Sequence, residues 1–220
     1  MSQTAVTDET RCDAGRAATR SLLGYGLLAG PLYLGVSLAQ ALTRPGFDLT
    51  RHAWSLLANG PLGWVQVANL VLSGLAVAAF AAGVRRACPD APLAARLLGV
   101  FGLSLVTAGV FRADPAQGFP AGTPEGPGAV TWHGVVHLAA GGIGFTAVAA
   151  AALLLAARFA AQGRRGWAWW SRATGGLFLA SFAGVASGVQ SPWTTLGFVA
   201  GVILLFGWLT ALAARLYRSH

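Results

Sequence analysis

The sequence predicts an all-α, polytopic membrane helix bundle with six transmembrane helices and both termini in the cytoplasm. Of its 220 residues, 55% are hydrophobic and only 10% are charged, whereas about a quarter of the residues in a soluble domain are charged. The apolar residues form runs of about 18 or more, and a helix of that length crosses the roughly 30 Å core of a bilayer. The basic residues are all arginine and cluster between these runs.

Six apolar runs carry the predicted helices. They cover residues 21–42, 64–84, 93–111, 132–157, 168–188 and 194–214. They are continuous and rich in Ala, Leu and Gly, which indicates helices rather than the alternating strands of a membrane barrel. The first run also resembles a signal peptide, but its length and the even number of spans favour an uncleaved helix. We therefore expect one transmembrane domain over 21–214, a disordered cytoplasmic tail over 1–20 and a short cytoplasmic tail over 215–220.

The arginines predict the orientation, because cytoplasmic loops of membrane proteins carry an excess of basic residues. Twelve lie on one predicted side: Arg11, Arg16, Arg20, Arg85, Arg86, Arg96, Arg158, Arg164, Arg165, Arg172, Arg215 and Arg218. Only Arg44, Arg51 and Arg112 lie on the other. We therefore expect a multi-pass protein of the cell membrane with both termini inside. The net charge of +8 orients the chain, and we expect no nucleic-acid partner because no folded basic face is present.

Polar residues concentrate on the predicted outer side, where they define a candidate extracytoplasmic pocket. The candidate ligand-binding residues are Asp48, Arg51, Asn59, Gln66, Asn69, Arg112, His133 and His137. Polar groups at membrane depth are costly, so their positions are informative. Asn69 and His137 each lie five residues beyond an interfacial tryptophan, about 7.5 Å deep by the helical rise, so we expect them to face each other. The alternative is that these side chains only join neighbouring helices.

Two readings are open for the charged residues of the outer loops. Arg112 could pair with Asp114 or Asp48 and so fix the long loop 112–131. Alternatively, Arg112 and Arg51 could hold an anionic head group, because guanidinium pairs well with phosphate or carboxylate.

Cys12 and Cys88 are too few for a disulfide framework, and we expect both to be free thiols.

The histidines raise the possibility of metal chemistry. His133 and His137 have the i, i+4 spacing of helical zinc ligands, and a third ligand could come from an outer loop, as His52, Asp48 or Asp114. In that case His52, Ser55 and Asp114 would form the catalytic set, with Ser55 or a bound water as nucleophile. We otherwise expect no cofactor. Haem is disfavoured because both membrane histidines lie on one helix, and a proton-coupled transporter because no acid lies at mid-membrane.

Three functions follow from these residues. The leading prediction is a membrane protein that binds, and could also modify, a lipid or other amphipathic small molecule in its outer pocket. The first alternative is a metal-dependent membrane hydrolase that acts on a lipid. The second is a non-catalytic partner subunit of a membrane complex, whose polar residues hold helices together.

The chain resembles a known family over residues 22–214. The stretches "SLLANGPLGWVQVANLVLSGLAVAAFAAGVRR", "FRADPAQGFP" and "TWHGVVH" resemble the bacterial integral-membrane family catalogued as domain of unknown function 998 (DUF998). This resemblance implies six membrane helices and no settled activity. A weaker likeness is to the membrane hydrolases that include alkaline ceramidases, which use a serine, an aspartate and three histidines. Ser55, Asp114, His52, His133 and His137 supply these residue types, although in a different order and on a different span.

Overall fold

The computed structural model describes residues 3–220, with side chains described from residue 15 onward. It contains six long helices: α1 (Gln3–Thr43), α2 (Gly63–Ala87), α3 (Pro92–Val110), α4 (Trp132–Ala161), α5 (Arg165–Ala186) and α6 (Pro192–Arg218). A short 3-10 helix, Trp54–Ala58, lies between α1 and α2. The described residues form no β-strand, so the all-α prediction is confirmed, and each predicted run falls on one helix.

Five of the helices, α1 to α4 and α6, are long and apolar enough to cross a membrane. The chain is thus a multi-pass helical membrane protein by the length and composition of its helices. The remaining helix, α5, has 22 residues, but Arg165, Arg172 and three tryptophans make its first half more polar. The helix α1 continues through residues 15–20. These six residues belong to the predicted tail over residues 1–20, and its remaining residues 1–14, with the thiol of Cys12, lie outside the residues whose side chains are described.

Helix ends follow from local sequence. Proline occupies the first turn of α3 and of α6, where its missing N–H costs no hydrogen bond. At the start of α6, Ser191 and Thr194 form a reciprocal capping box, which satisfies backbone N–H groups that the helix cannot. Between α4 and α5, Gly163 adopts a positive φ of 70°, which reverses the chain in a tight turn.

The six helices form a closed ring. Each helix packs on the next one in chain order, and α6 packs on α1. Large aromatic side chains fill the interior, including the fully buried Phe80, Phe101 and Phe206. Tyr33 of α1 stacks on Phe206 of α6 with ring centroids 4.4 Å apart, so the first and last helices are joined through the centre of the ring.

The ring has two chemically different ends. At the arginine-rich end, Arg86 donates to Thr19 over 3.0 Å and Arg158 pairs with Asp90 over 2.7 Å. There the Arg20 guanidinium also lies 4.6 Å from the ring of Tyr217. At the opposite end, the loop end, lie the three segments 44–62, 111–131 and 187–191.

Cys88, near the arginine-rich end, is a buried free thiol, as the sequence predicts, and burial raises its pKa.

Two glycines bring α2 and α3 into backbone contact. A Cβ atom on Gly102 would lie 2.7 Å from the backbone nitrogen of Ala78 and 2.7 Å from the carbonyl oxygen of Gly74. A Cβ on Gly74 would in turn lie 2.6 Å from the carbonyl oxygen of Gly102. Backbone atoms cannot swing aside, so this pair of helices requires glycine at both positions.

We expect Gly102→Ala to destabilise the bundle, by about 1–3 kcal/mol as for other overpacked cores, because α2 and α3 would have to separate. The control is Gly207→Ala in α6, where a Cβ would meet nothing within 4 Å. The thermal unfolding midpoint of the purified protein in detergent measures the effect. Equal midpoints for both variants would show that the α2–α3 contact tolerates a methyl group.

Candidate functional site

A buried polar network joins α1 and α2 near the loop end. Gln66, fully buried, accepts a hydrogen bond from Gln40 at 2.8 Å and donates to Ser37 at 3.1 Å. Asn69 donates to Ser37 at 3.1 Å and to the carbonyl oxygen of Tyr33 at 3.2 Å. Gln66 and Asn69 are thus satisfied by α1, and the structure does not bring Asn69 to face His137. These two predicted ligand-binding residues take the helix-joining role that the sequence left as the alternative.

Arg44 holds the 3-10 helix in place at the loop end. Its guanidinium donates to the carbonyl oxygens of Leu57 at 2.5 Å and Asn59 at 2.6 Å, and it lies 4.9 Å from the ring of Phe119. Only 8% of Arg44 is exposed, and this burial lowers the pKa of the guanidinium from its usual value. The two carbonyls belong to the end of a 3-10 helix, where acceptors lack partners in the helix itself.

His52 joins the two long loops. Its Nδ1 accepts a hydrogen bond from the backbone N–H of Asp48 at 2.8 Å, so Nε2 carries the proton and donates to the carbonyl oxygen of Gln117 at 2.9 Å. The ring is 2% exposed and packs between Phe47 and Phe119. Both nitrogens of this predicted catalytic residue are therefore engaged by backbone.

The other charged residues of the first loop have local partners. The Asp48 carboxylate accepts from the hydroxyl and the backbone N–H of Thr50 at 2.7 and 2.8 Å, and these hydrogen bonds lower the pKa of Asp48. Arg51 forms an exposed ion pair with Glu125 of the second loop. Two partners were open for Arg112, Asp114 and Asp48, and among the described residues it forms an ion pair with neither.

Asp114 closes the base of the second loop. Its two carboxylate oxygens accept from the hydroxyl of Thr131 at 2.6 Å and from the backbone N–H of Thr131 at 2.8 Å. The Thr131 hydroxyl in turn accepts from the N–H of Gly134 and caps α4. A Cβ on Gly134 would lie 1.9 Å from Asp114 Oδ2, so the carboxylate sits against the start of the helix, where negative charge is favoured. Asp114, another member of the predicted catalytic set, has a capping role.

Four predicted site residues line one small polar depression on the surface. These are Asn59, Arg112, Asp114 and His133, around a volume of about 240 Å³. Asn59 is fixed by donating to the carbonyl oxygen of Ala113 at 3.0 Å, and the His133 ring stacks on Trp132 with centroids 3.7 Å apart. Arg112 and His133 are both exposed.

A separate, mostly apolar cavity of about 160 Å³ lies inside the ring. The lining residues that carry polar side-chain groups include Tyr33, Ser55, Ser104 and His137, and Trp54 of the 3-10 helix also contributes to the wall. The His137 Nδ1 lies 3.0 Å from the carbonyl oxygen of Ala108 and 2.9 Å from that of Phe111. Both neighbours are acceptors, so Nδ1 carries a proton. In the neutral ring Nε2 is then an unprotonated acceptor.

The indole N–H of Trp54 is also notable. It is buried and has no hydrogen-bond partner among the described residues, which costs about 1–3 kcal/mol for a typical buried donor.

Sequence reasoning missed Trp54, Ser104 and Arg44 as parts of this region. Trp54 and Ser104 carry no pattern that distinguishes them from packing residues, and Arg44 was recognised only as one of three outer arginines.

The three histidines of the predicted zinc site do not meet. His52 lies under the loops, His133 lines the surface depression, and His137 lines the inner cavity. Within the part of the chain whose side chains are described, no three His, Cys, Asp or Glu residues are grouped as they would be to hold a metal ion. The predicted catalytic set is likewise divided, since Ser55 lines the inner cavity while His52 and Asp114 are engaged elsewhere.

The fold and its sites thus define a multi-pass helical membrane protein whose polar side chains mostly serve its architecture. The chain belongs to the family described as "Protein of unknown function (DUF998)", whose sequence profile matches residues 27–215, so the expected resemblance is confirmed. No curated protein and no solved structure matches the chain.

We expect Arg44→Ala to destabilise the protein by several kcal/mol, because two buried carbonyl groups would lose charge-assisted hydrogen bonds of about 1.5–3 kcal/mol each. Arg51→Ala removes an equal charge from an exposed ion pair, and such pairs contribute about 0–1 kcal/mol. Thermal unfolding midpoints in detergent compare the two variants. A loss from Arg51→Ala as large as that from Arg44→Ala would assign the effect to charge instead of to the clamp.

Proposed function

We propose that this is a six-span protein of the cell membrane that binds the apolar part of a lipid or other amphipathic molecule in the cavity lined by His137. The sixth span would be α5. The end of α4 and the end of α6 lie together, since the guanidinium of Arg215 is 5.5 Å from the ring of Phe159. With 27 residues, α6 begins about 40 Å away by the helical rise. Because α5 connects the end of α4 to the start of α6, it has to cross that same thickness.

The arginine distribution supports an orientation with the arginine-rich end in the cytoplasm. Both described chain ends lie there, because Arg20 of α1 contacts Tyr217 of α6. Of the arginines whose side chains the structure describes, only Arg44, Arg51 and Arg112 lie toward the loop end. An excess of basic residues on the cytoplasmic side is the rule for membrane proteins, and the loop end with its cavity would then face outward.

The observation that carries the binding proposal is a cavity with an apolar wall and a few polar groups, which is the usual composition of a small-molecule site. Its volume of about 160 Å³ is small, since a cavity of about 150 Å³ in another protein holds benzene. A whole phospholipid would not fit. The cavity has room for one segment of an amphipathic molecule, with the remainder lying outside.

The lining residues favour an opening toward the bilayer between α4 and α5. Tyr33 and Trp54 on one side of the cavity are buried, whereas Leu138 of α4 on another is 71% exposed. Near mid-membrane a Cβ on Gly175 of α5 would lie 3.0 Å from the carbonyl oxygen of Ala149, so the two helices are close. Nearer the loop end, a Cβ on the lining residue Gly141 would meet only the ring of Phe145 on its own helix, 3.8 Å away, so α5 leaves space beside α4 there.

The polar groups favour a ligand with a hydrogen-bond donor. In the neutral His137 ring Nε2 is an acceptor. The Ser104 hydroxyl donates to the carbonyl oxygen of Phe101 at 2.7 Å, so it can only accept from a ligand, and the Ser55 hydroxyl can donate or accept. A hydroxyl or amide group carried into the cavity would therefore find partners. Modification of the ligand is not part of this proposal, because His52, the base predicted for Ser55, is engaged by backbone on both nitrogens.

The two alternatives fare differently. A metal-dependent hydrolase finds no support, since the residues expected to bind zinc lie in three separate places. A non-catalytic partner subunit is favoured by one observation, which is that Gln66 and Asn69 serve to join helices. The inner cavity, however, is not needed to hold helices together, and it distinguishes the leading proposal.

The cavity is tested by filling it. In Gly141→Leu the new side chain grows from a lining position, whereas Gly142→Leu adds the same atoms one residue away, where no lining is affected. The full-length protein in nanodiscs would be irradiated with a diazirine-bearing fatty acid, and adducts mapped by mass spectrometry. We expect adducts on lining peptides of the parent and of Gly142→Leu, reduced at least several-fold in Gly141→Leu. Labelling that is confined to outward-facing residues, or that Gly141→Leu leaves unchanged, contradicts the proposal.

The topology is tested with single cysteines in a background where Cys12 and Cys88 are serine. We expect a membrane-impermeant maleimide to label Ala121→Cys and Gln190→Cys in intact cells, and Gln162→Cys only after the cells are opened. Ala121 and Gln162 lie at opposite ends of α4, and Gln190 follows α5. Protection of Gln190→Cys in intact cells, with Ala121→Cys labelled, would mean that α5 does not span.

A further inference from the structure

A second, larger concavity lies at the arginine-rich end, where α2, α4, α5 and α6 meet. It encloses about 940 Å³ and is lined by Arg158, Arg164, Arg215 and Arg218, together with Gln162 and Trp167. It shares no lining residue with the inner cavity. The proposal for the inner cavity and any role of this concavity are therefore independent.

The positive charge of this concavity is largely uncompensated. Arg158 pairs with Asp90 over 2.7 Å, and this pairing lowers the pKa of the Asp90 carboxyl. Within the described part of the chain no carboxylate lies at ion-pair distance from Arg164, Arg215 or Arg218. Three guanidinium groups around one concavity repel each other, and an anion between them would remove that repulsion.

Aromatic rings fix one of these arginines in position. The guanidinium of Arg215 lies 5.5 Å from the ring centre of Phe159 and 5.1 Å from that of Trp167, both within the range of a cation–π contact. These contacts hold the guanidinium against two neighbouring rings, whose own centroids are 5.5 Å apart. An arginine held in this way is prepared for the forked hydrogen bonds that guanidinium makes to phosphate.

The surroundings place the concavity at the depth of lipid head groups. The first turns of α5 carry Trp167, Trp169 and Trp170, of which Trp169 is 69% exposed, and exposed tryptophan is typical of the membrane interface. The concavity is also bordered by the N-terminus of α5, which begins at Arg165 and favours negative charge. Basic sites between membrane helices at this level commonly bind phosphate-bearing head groups.

We propose that this concavity, formed by Arg164, Arg215 and Arg218, binds a phosphate group at the arginine-rich end of the bundle. The group could belong to an anionic phospholipid of the adjacent leaflet or to a soluble phosphate ester that enters from the water. The forked donors of Arg215 contact the phosphate oxygens, and Arg164 and Arg218 supply charge from the two sides.

The test compares lipid association for two variants of equal charge. Arg164→Gln/Arg215→Gln removes two arginines of the concavity, and Arg85→Gln/Arg96→Gln removes two exposed arginines at the same end that neither line nor border it. Electron spin resonance of the full chain in phosphatidylcholine bilayers would measure the association of spin-labelled phosphatidylglycerol relative to spin-labelled phosphatidylcholine. A parallel titration with glycerol 3-phosphate would follow tryptophan fluorescence in vesicles of phosphatidylcholine alone.

We expect the parent to prefer phosphatidylglycerol, and we expect this preference to fall about tenfold in Arg164→Gln/Arg215→Gln, as for the loss of one charge-assisted hydrogen bond. The control double variant should keep most of it. Saturable binding of glycerol 3-phosphate that only the first variant loses would support the proposal with a soluble source instead. Equal losses in both variants, or no binding of either probe by the parent, would overturn it.

Discussion

The loop end depends on two hydrogen bonds from one buried cation. Backbone that is neither α-helix nor strand is tolerated near membrane depth only when its polar groups have partners. The 3-10 helix Trp54–Ala58 is such a segment, and four of its five residues are buried. The guanidinium of Arg44 satisfies carbonyl groups at its end, so that Trp54 and Ser55 can form a wall of the inner cavity. Without this clamp the segment would have to rise toward water, and the cavity would lose that wall.

The architecture could be predicted from the sequence because it depends on quantities that a sequence displays directly. A run of apolar residues has a length, and that length fixes whether a helix can cross a bilayer. All six runs correspond to helices, and the boundary prolines Pro92 and Pro192 mark where two of them begin. The less apolar α5 is the exception in composition, because its first half bears tryptophan and arginine at the level of the interface.

The partners of polar residues could not be predicted in the same way. Depth along a helix follows from residue number, but the direction in which a side chain points around the ring does not. Asn69 and His137 do have similar depths by the helical rise, yet Asn69 turns toward Ser37 on α1 while His137 turns toward α3. The sequence does contain a pattern that indicates the contact between α1 and α2. Tyr33, Ser37 and Gln40 share one face of α1, and a polar face on each of two consecutive helices is typical of a pair that packs together. The histidines were grouped by spacing alone, and spacing does not report that backbone groups already occupy His52.

The two ends of the bundle differ in net charge. Among the residues whose side chains are described, three arginines and three acids lie toward the loop end, so that together they carry no formal net charge at pH 7. They are Arg44, Arg51 and Arg112 with Asp48, Asp114 and Glu125. The entire formal charge of +8 therefore belongs to the remainder of the chain. A molecule that approaches the loop end meets little net electric field beyond about 8 Å, the Debye length at physiological ionic strength. Selection among ligands at this end therefore depends on their shape and their apolar contacts. The opposite end attracts anions before any contact is made, and its encounter rates should decrease as salt is added.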